Sequence, residues 1–279
     1  MFKSLERLVR NALVEDVGQE DITTNCTVPP NARCEARLLA KQDGVLSGIE
    51  VFRTVFDCLD AEIHEWGALS DGDRFAKGDE IGTFRGNTRS VLTGERVAMN
   101  FIQHLSGVAT LTAEYVALVE SHGARICDTR KTTPLLRRLE KEAVVHGGGT
   151  NHRHTLFNGI VIKDNHIVAA GGLRSAVKKA QDRTHHLMKI EVEVTNLDEF
   201  DEAVDAGADV IMLDNMNLED MREAVVRAHG KRVTIEASGN VSLDRIVAIA
   251  ETGVDVISIG KLTHSAPSVD LSLMIDNAS

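Results

Sequence analysis

The chain has 279 residues, 43% of them hydrophobic and 26% charged, and a formal net charge of −11. That length holds one large domain, or a barrel-sized domain with a smaller partner, and the composition is that of an ordinary globular protein. The negative balance argues against a sequence-independent hold on nucleic acid or anionic membrane, and no uncharged apolar run is long enough to span a bilayer.

The first residues, MFKSLERLVRNALVEDV, carry Glu6, Glu15 and Asp16 and lack a continuous apolar stretch. They do not read as a signal peptide, so a cytoplasmic protein is expected. Cys26, Cys34, Cys58 and Cys127 have neither CxxC nor zinc-ligand spacing and are expected as thiols, mostly buried. Aromatics make up only 4%, so Val, Ile, Leu and Ala are expected to build the core. Ala36–Ala40 and Gly44–Gly48 read as short strands and Arg53–Leu59 as helix, while LSDGDRFAKGDEIGTFRG has the closely spaced turn residues of hairpins. Thr93 to Ser121 has apolar residues at helical spacing and reads as one long helix.

Beyond it, strand, loop and helix alternate. Candidate strands end at CDTR (Cys127–Arg130), VIKD (Val161–Asp164), EVEV (Glu191–Val194), IMLD (Ile211–Asp214), TIEAS (Thr234–Ser238) and ISIG (Ile257–Gly260). Amphipathic stretches such as LRSAVKKAQ, LDEFDEAVDAG, LEDMREAVVRA and SLDRIVAIAETG lie between them. This rhythm indicates a parallel β/α barrel or a doubly wound sheet.

Each candidate strand finishes in polar groups, and a barrel gathers all such ends on one face. By the two-residue strand period, Glu191 and Glu193 share a side against Ile190, Val192 and Val194, and Met212 and Asp214 oppose Ile211 and Leu213. Carboxylates are seldom buried without a partner, so acids repeated at strand ends suggest a site. The matching cations are Arg130, Lys131, Arg137, Arg138, Lys141, His152, Arg153, His154 and Lys163. Such a cluster in an acidic protein implies an anionic ligand, with carboxylates opposite that would hold a divalent metal or sugar hydroxyls. Phosphate seats are expected at Ser238-Gly239-Asn240, before a helix starting near Ser242, and at Gly260-Lys261, before Thr263-His264-Ser265.

The run DTRKTTPLLRRLEKEAVVHGGGTNHRHTLFNGIVIKDNHI (Asp128–Ile167) closely resembles the core of the quinolinate phosphoribosyltransferases, also called carboxylating nicotinate-nucleotide pyrophosphorylases. The likeness continues through EDVGQEDITT, GERVAMNFIQHLSGVAT, EVEV, LDN, EASGN and SIGKLTHS, covering nearly the whole chain in order. It implies an α/β protein: an incomplete parallel β/α barrel of about six to seven strands over 108–266, with an N-terminal mixed α+β sandwich domain over 1–107. The tail 267–279 is free to return to that first domain. The resemblance further implies a homodimer, or a dimer-based hexamer, in which each N-terminal region helps close the other subunit's site.

By the same resemblance, Arg96 would reach the neighbouring site and touch the pyridine dicarboxylate, gripped also by Arg130, His152, Arg153 and Lys163. Thr129 and Lys131 would lie alongside, with Lys131 near the pyrophosphate of phosphoribosyl pyrophosphate. Glu193 and Asp214 would bind the ribose hydroxyls and Mg2+. Ser238, Gly239 and Asn240, with the backbone of Ile259, Gly260 and Lys261, would seat the 5′-phosphate. Lys131, Glu193 and Asp214 are the expected catalytic residues. The chain departs from the family pattern at Leu135 and Thr150, where glycines are usual, at Asn158, where aspartate is common, and at Lys261, where a small residue is frequent.

Some of these residues also have plainer readings. Arg137, Arg138, Glu140 and Lys141 read as a solvated helix face with local ion pairs. Glu191 is left open between structural and functional roles, and His185 and His186 read as surface loop. His264 either caps a helix or touches phosphate. GDRFAKGDEIG reads as hairpin framework. A metal-dependent barrel hydrolase using His152, His154, Lys163, His166 and Asp214 is a rival, weakened by Arg153 and the Arg130-Lys131 pair, which would repel cations. A carrier module built on Gly44–Gly86 is another; it lacks an evident modifiable lysine at a hairpin tip. A closer alternative is a barrel relative acting on another pyridine or heterocyclic acid.

Overall fold

The computed structural model describes residues 2–277. Its elements in chain order are α1 (Phe2–Val17), α2 (Ile22–Thr27), β1 (Arg33–Ala40), β2 (Gly44–Val45), α3 (Ile49–Asp57), β3 (His64–Ala68), β4 (Arg74–Phe75), β5 (Glu80–Asn87) and α4 (Thr88–Val119). There follow β6 (Arg125–Cys127), α5 (Arg137–His146), β7 (Ile160–Ile162), α6 (Asp164–Ala170), α7 (Leu173–Arg183), β8 (Ile190–Val194), α8 (Leu197–Ala206) and β9 (Val210–Asp214). The last are α9 (Leu218–Ala228), β10 (Thr234–Ser238), α10 (Ile246–Ala250), β11 (Val256–Ser258), α11 (Lys261–His264) and β12 (Leu271–Asn277). Two compact units result. The first holds the chain up to Leu111, Pro134–Gly148 and the chain from Ala266 onward; the second holds Thr112–Thr133 and Gly149–Ser265.

The first unit is built on an antiparallel sheet in the order β12-β1-β5-β3. In β1, Cys34, Ala36, Leu38 and Ala40 are buried at alternate positions. Val51, Phe52, Val55 and Phe56 of α3 are buried as well. The scarce aromatics concentrate here, with ring centroids of Phe52 and Phe56, and of Phe56 and Phe84, both 5.1 Å apart. Trp66 stacks on Phe84 at 5.5 Å. Most of the buried residues around this cluster are Val, Ile, Leu and Ala, as the composition leads one to expect, and the few aromatics are concentrated within that aliphatic core. The hairpin reading of GDRFAKGDEIG also changes, because β4 pairs with β2 while β5 pairs with β1 and β3.

Helix α4 starts at Thr88, five residues before the apolar periodicity begins, because the Asn87 side chain accepts the Ser90 N–H at 3.2 Å and caps it. Gly107 matters for the return of the C-terminal segment. A Cβ there would stand 2.1 Å from the Pro267 carbonyl oxygen, so only glycine lets that segment lie against the helix. Gln103 Nε2 then donates to Leu271 O at 3.0 Å, and β12 pairs antiparallel with β1.

The solvated-face reading of α5 is corrected: Glu140 and Lys141 are both fully buried. This helix belongs to the first unit, where Glu140 Oε1 meets His104 Nε2 of α4 at 2.8 Å. Arg138 keeps its expected local pair, with Glu142 at 2.8 Å. No disulfide joins the cysteines; Cys34 and Cys127 are buried, Cys58 half-buried and Cys26 exposed.

Asp21 caps α2 by accepting the Thr24 N–H at 3.0 Å, and it accepts the Thr93 hydroxyl at 3.1 Å. Those hydrogen bonds, Thr24's first, hold its carboxyl below the ordinary aspartate value. Asp21→Ala is expected to destabilise the protein by about 1 kcal/mol in thermal or urea melts at neutral pH. Because the folded-state value is depressed, the difference is present above the unfolded aspartate pKa and vanishes as pH falls through the folded one.

The second unit is a six-stranded parallel sheet in the order β6-β11-β10-β9-β8-β7. Among the described residues the edge strands β6 and β7 share no ladder, and Thr150 forms a single parallel bridge to Cys127 beside β6. Residues just beyond β6 and just beyond β7 nonetheless line one cavity, so the sheet curls into an open barrel. Ile211, Leu213, Val192 and Val194 are fully buried. Asn196 and Asn217 cap α8 and α9, each accepting an N–H at 2.9 Å, and Gly207 closes α8 at φ 80°. The helices expected beside the phosphate seats start elsewhere: α10 only at Ile246, after a turn through Leu243–Arg245, and α11 already at Lys261. Both are short, five and four residues, so loop backbone rather than a helix dipole must supply any anion seat.

Candidate active site

A cavity of about 600 Å³ opens at the C-terminal ends of the parallel strands. Thr129, Arg130, Lys131, His152, Arg153, Lys163, Glu193, Asp214, Ser238, Gly239 and Asn240 all line it, so cations, acids and the glycine loop share one space. Ile259, Gly260 and Lys261 are not among the lining residues. The Ile259 N–H is donated to Cys127 O at 2.9 Å and so is not available to a phosphate. Arg96 stands exposed on α4 in the first unit. His185 and His186 are exposed, and His264 Nδ1 lies 2.6 Å from Ser265 Oγ.

The strand period explains the lining. Val161 and Lys163, Met212 and Asp214, and Ser238 two residues after Glu236 repeat every second position along their strands. Behind the wall, buried Asp128 accepts the His152 N–H at 2.8 Å and the Asn151 amide at 2.6 Å, which fixes the loop entering the site. Arg153 Nη1 donates to Gly159 O at 2.8 Å. Burial, then the neighbouring Arg130 charge, lowers the Arg153 pKa from the ordinary arginine value, with Glu191 opposing. Two guanidinium groups held together and partly desolvated form a seat for an anion.

Lys163 Nζ is paired with Glu193 Oε2. On the other side, Asp214 Oδ2 accepts the Asn215 amide at 3.0 Å, and Asn215 Oδ1 accepts the Asn240 amide at 2.9 Å. Asn215 sits in the left-handed region at φ 56°, and a Cβ on Gly239 would fall 2.3 Å from its Oδ1. Asn215 thus ties an acid to the glycine loop. The amino-acid sequence shows it only as a polar residue after a strand.

The sequence leaves Glu191 open between structural and functional roles and does not single out Glu236, yet both lie beneath His152. His152 Nε2 is 3.0 Å from Glu191 Oε2 and 3.8 Å from Glu236 Oε1. Burial first, and then the Glu191 charge, push the Glu236 pKa up to about 7. Since the folded value is raised, its contribution to stability is full below the unfolded glutamate pKa and is lost as pH rises through about 7. Glu236 precedes Ser238 by two on one strand, so the alternation that pairs Glu191 with Glu193 also places it inward.

His152, Glu191 and Glu236 each offer a potential metal-ligand atom, all within 4.8 Å of one another. The histidine does not suit that use. Its Nδ1 accepts the Arg153 N–H at 2.9 Å, so the neutral ring carries its proton on Nε2, the nitrogen that would have to bind the metal. Nor does the binuclear arrangement form: His154 is exposed, and His166 Nδ1 accepts the Lys163 N–H at 3.0 Å, capping α6. Leu135, where the family usually has glycine, adopts φ 69°, the left-handed conformation glycine favours. Asn158 Oδ1 accepts from Thr155 N and Oγ1 at 3.0 and 2.7 Å, contacts an aspartate would also make.

Comparison with known proteins identifies the family. Residues 21–106 match the family model of the quinolinate phosphoribosyl transferase N-terminal domain, and residues 108–274 that of the C-terminal domain. A probable carboxylating nicotinate-nucleotide pyrophosphorylase from Bacillus subtilis is 42% identical over 269 residues, 96% of this chain and 92% of the relative. A decarboxylating quinolinate phosphoribosyltransferase from Nicotiana tabacum is 40% identical, covering 98% of this chain and 82% of its own. The crystal structure of NadC from Streptococcus pyogenes superposes with a TM-score of 0.95 at 42% identity, covering 100% of this chain and 99% of that one. No helix among the described residues is long and apolar enough to cross a membrane. Matched by both domain models in order and by relatives at 40% identity or more along nearly its full length, the chain belongs to the quinolinate phosphoribosyltransferase family.

Proposed function

We propose that the protein transfers the phosphoribosyl group of phosphoribosyl pyrophosphate to quinolinate with decarboxylation, giving nicotinate mononucleotide, pyrophosphate and CO2. The observation that carries this reading is the placement of Arg130, Arg153 and Lys163 with Glu193 and Asp214 around one cavity. A planar diacid meets the cations, and a sugar phosphate meets the acids and the Ser238–Asn240 loop. Arg130, His152, Arg153 and Lys163 orient the dianion so that its ring nitrogen faces the anomeric carbon. As pyrophosphate departs, positive charge grows on the ribose, and Glu193 and Asp214 stabilise it. Lys131 neutralises the leaving group. The quaternary nitrogen then stabilises the electron pair left at the ring carbon when CO2 is lost, and a proton taken up from water at that carbon completes nicotinate mononucleotide.

Glu193 and Asp214 are half-buried carboxylates lining the cavity, a donor set that suits a hard divalent cation bringing further oxygen ligands of its own. Mg2+ held there with the pyrophosphate oxygens would supply charge neutralisation for the leaving group. Arg96, exposed on α4, would complete the diacid grip from a second copy of the chain in a homodimer. The test is incubation with quinolinate, phosphoribosyl pyrophosphate and Mg2+, followed by mass detection of product. Nicotinate mononucleotide is the expected product, and nicotinate in place of quinolinate should give little, having lost one of its two carboxylates. Equal use of both acids would overturn the assignment.

A further inference from the structure

Glu191 and Glu236 take no part in binding either substrate in the reading above, yet they lie 7% and 4% exposed in the site floor. Oε1 of each lacks a hydrogen-bond partner. Two carboxylate charges this close and this buried are strongly unfavourable together unless one takes up a proton. With Nδ1 accepting the Arg153 N–H, His152 turns a single N–H toward the pair, 3.0 Å from Glu191 Oε2.

The two acids differ in surroundings. Glu191 has that N–H and the field of the Arg153 guanidinium. Glu236 Oε1 lies 3.8 Å from His152 Nε2, outside hydrogen-bond reach. Burial of Glu236 and then the Glu191 charge oppose its ionisation, each more strongly than His152, the Ser258 hydroxyl or Lys163 favours it. The proton therefore belongs on Glu236.

We propose that Glu236 is a positioning residue, present as the neutral carboxylic acid, which leaves the His152 N–H to Glu191 and keeps the cationic wall ready for a dianion. This rests on the assignment of Arg130, His152, Arg153 and Lys163 to quinolinate. Ionised Glu236 would place a second negative charge beneath that wall and compete for the His152 N–H. Grip on the diacid then weakens, while the groups that act on the sugar, Glu193 and Asp214, are unaffected.

Initial rates at saturating phosphoribosyl pyrophosphate and Mg2+, from about pH 6 to about pH 8.5, separate the terms. In the wild-type protein KM for quinolinate is expected to rise about tenfold across that range, with kcat and KM for phosphoribosyl pyrophosphate little changed. Glu236→Gln, which keeps shape and neutrality, should show a flat KM within about threefold of the wild-type low-pH value. An alkaline rise that persists in Glu236→Gln, or a KM already about tenfold higher near pH 6, overturns the proposal. A second measurement needs no turnover: infrared difference spectra of the wild-type protein should show a protonated-carboxyl band bleaching near neutral pH and missing from Glu236→Gln. Absence of that band in the wild-type protein overturns it equally. A wild-type protein that makes no nicotinate mononucleotide but shows the band counts against the proposed reaction, not against the protonated glutamate.

Discussion

Arg130→Ala is expected to give a folded protein whose kcat/KM with quinolinate falls a hundredfold or more. Truncating one member of a desolvated, hydrogen-bonded charge pair costs about 2–5 kcal/mol, and each 1.4 kcal/mol is about tenfold. The fold should tolerate the change, because Arg130 lies next to Arg153 and their like charges disfavour each other. A melting temperature within a few degrees of wild type, with activity largely gone, is the expected pair of results. Lys163→Ala should match the loss in activity, because it removes another of the cations proposed to grip the diacid and leaves Glu193 without its partner. Near-normal turnover in either variant would show that the cavity does not grip the diacid through these groups.

The second large effect is on stability and lies outside the cavity. Glu140→Ala removes a fully buried carboxylate that meets His104 Nε2 at 2.8 Å, beside the equally buried Lys141. Losing a buried hydrogen bond that involves a charged group typically destabilises by about 1.5–3 kcal/mol, because the burial is kept while the contact is lost. Chemical denaturation should show a markedly lower midpoint at unchanged slope. Activity should fall as well. The chain entering α5 carries Arg130 and Lys131, and the chain leaving it carries His152 and Arg153. A midpoint near that of wild type would mean that the pair contributes little net energy to this unit.

The β/α rhythm was legible because each parallel strand is a short apolar run with a polar end, and each helix between keeps its own period. That is local information. The same period placed Glu193, Asp214 and Lys163 at strand ends, and the order of the motifs carried the family resemblance. Glu236 and Asn215 were written in the same pattern but did not stand out. An acid two residues before a strand end looks the same whether it faces a neighbour or water, and an asparagine after a strand looks the same whether or not it bridges two loops.

What the amino-acid sequence determined by itself, then, is the kind of element each segment forms and the chemistry offered at the strand tips. Tertiary structure alone decided which of those groups meet. Long-range packing put Pro134–Gly148 with the first unit, buried Glu140 and Lys141 on a helix that looks solvated, and gathered the few aromatics around Phe84. It also set Glu191 and Glu236, from strands separated by β9, under one histidine. The reason is physical: periodicity fixes the face a side chain shares with its near neighbours in the chain. Burial, charge compensation and proton affinity depend on what the rest of the fold brings against that face.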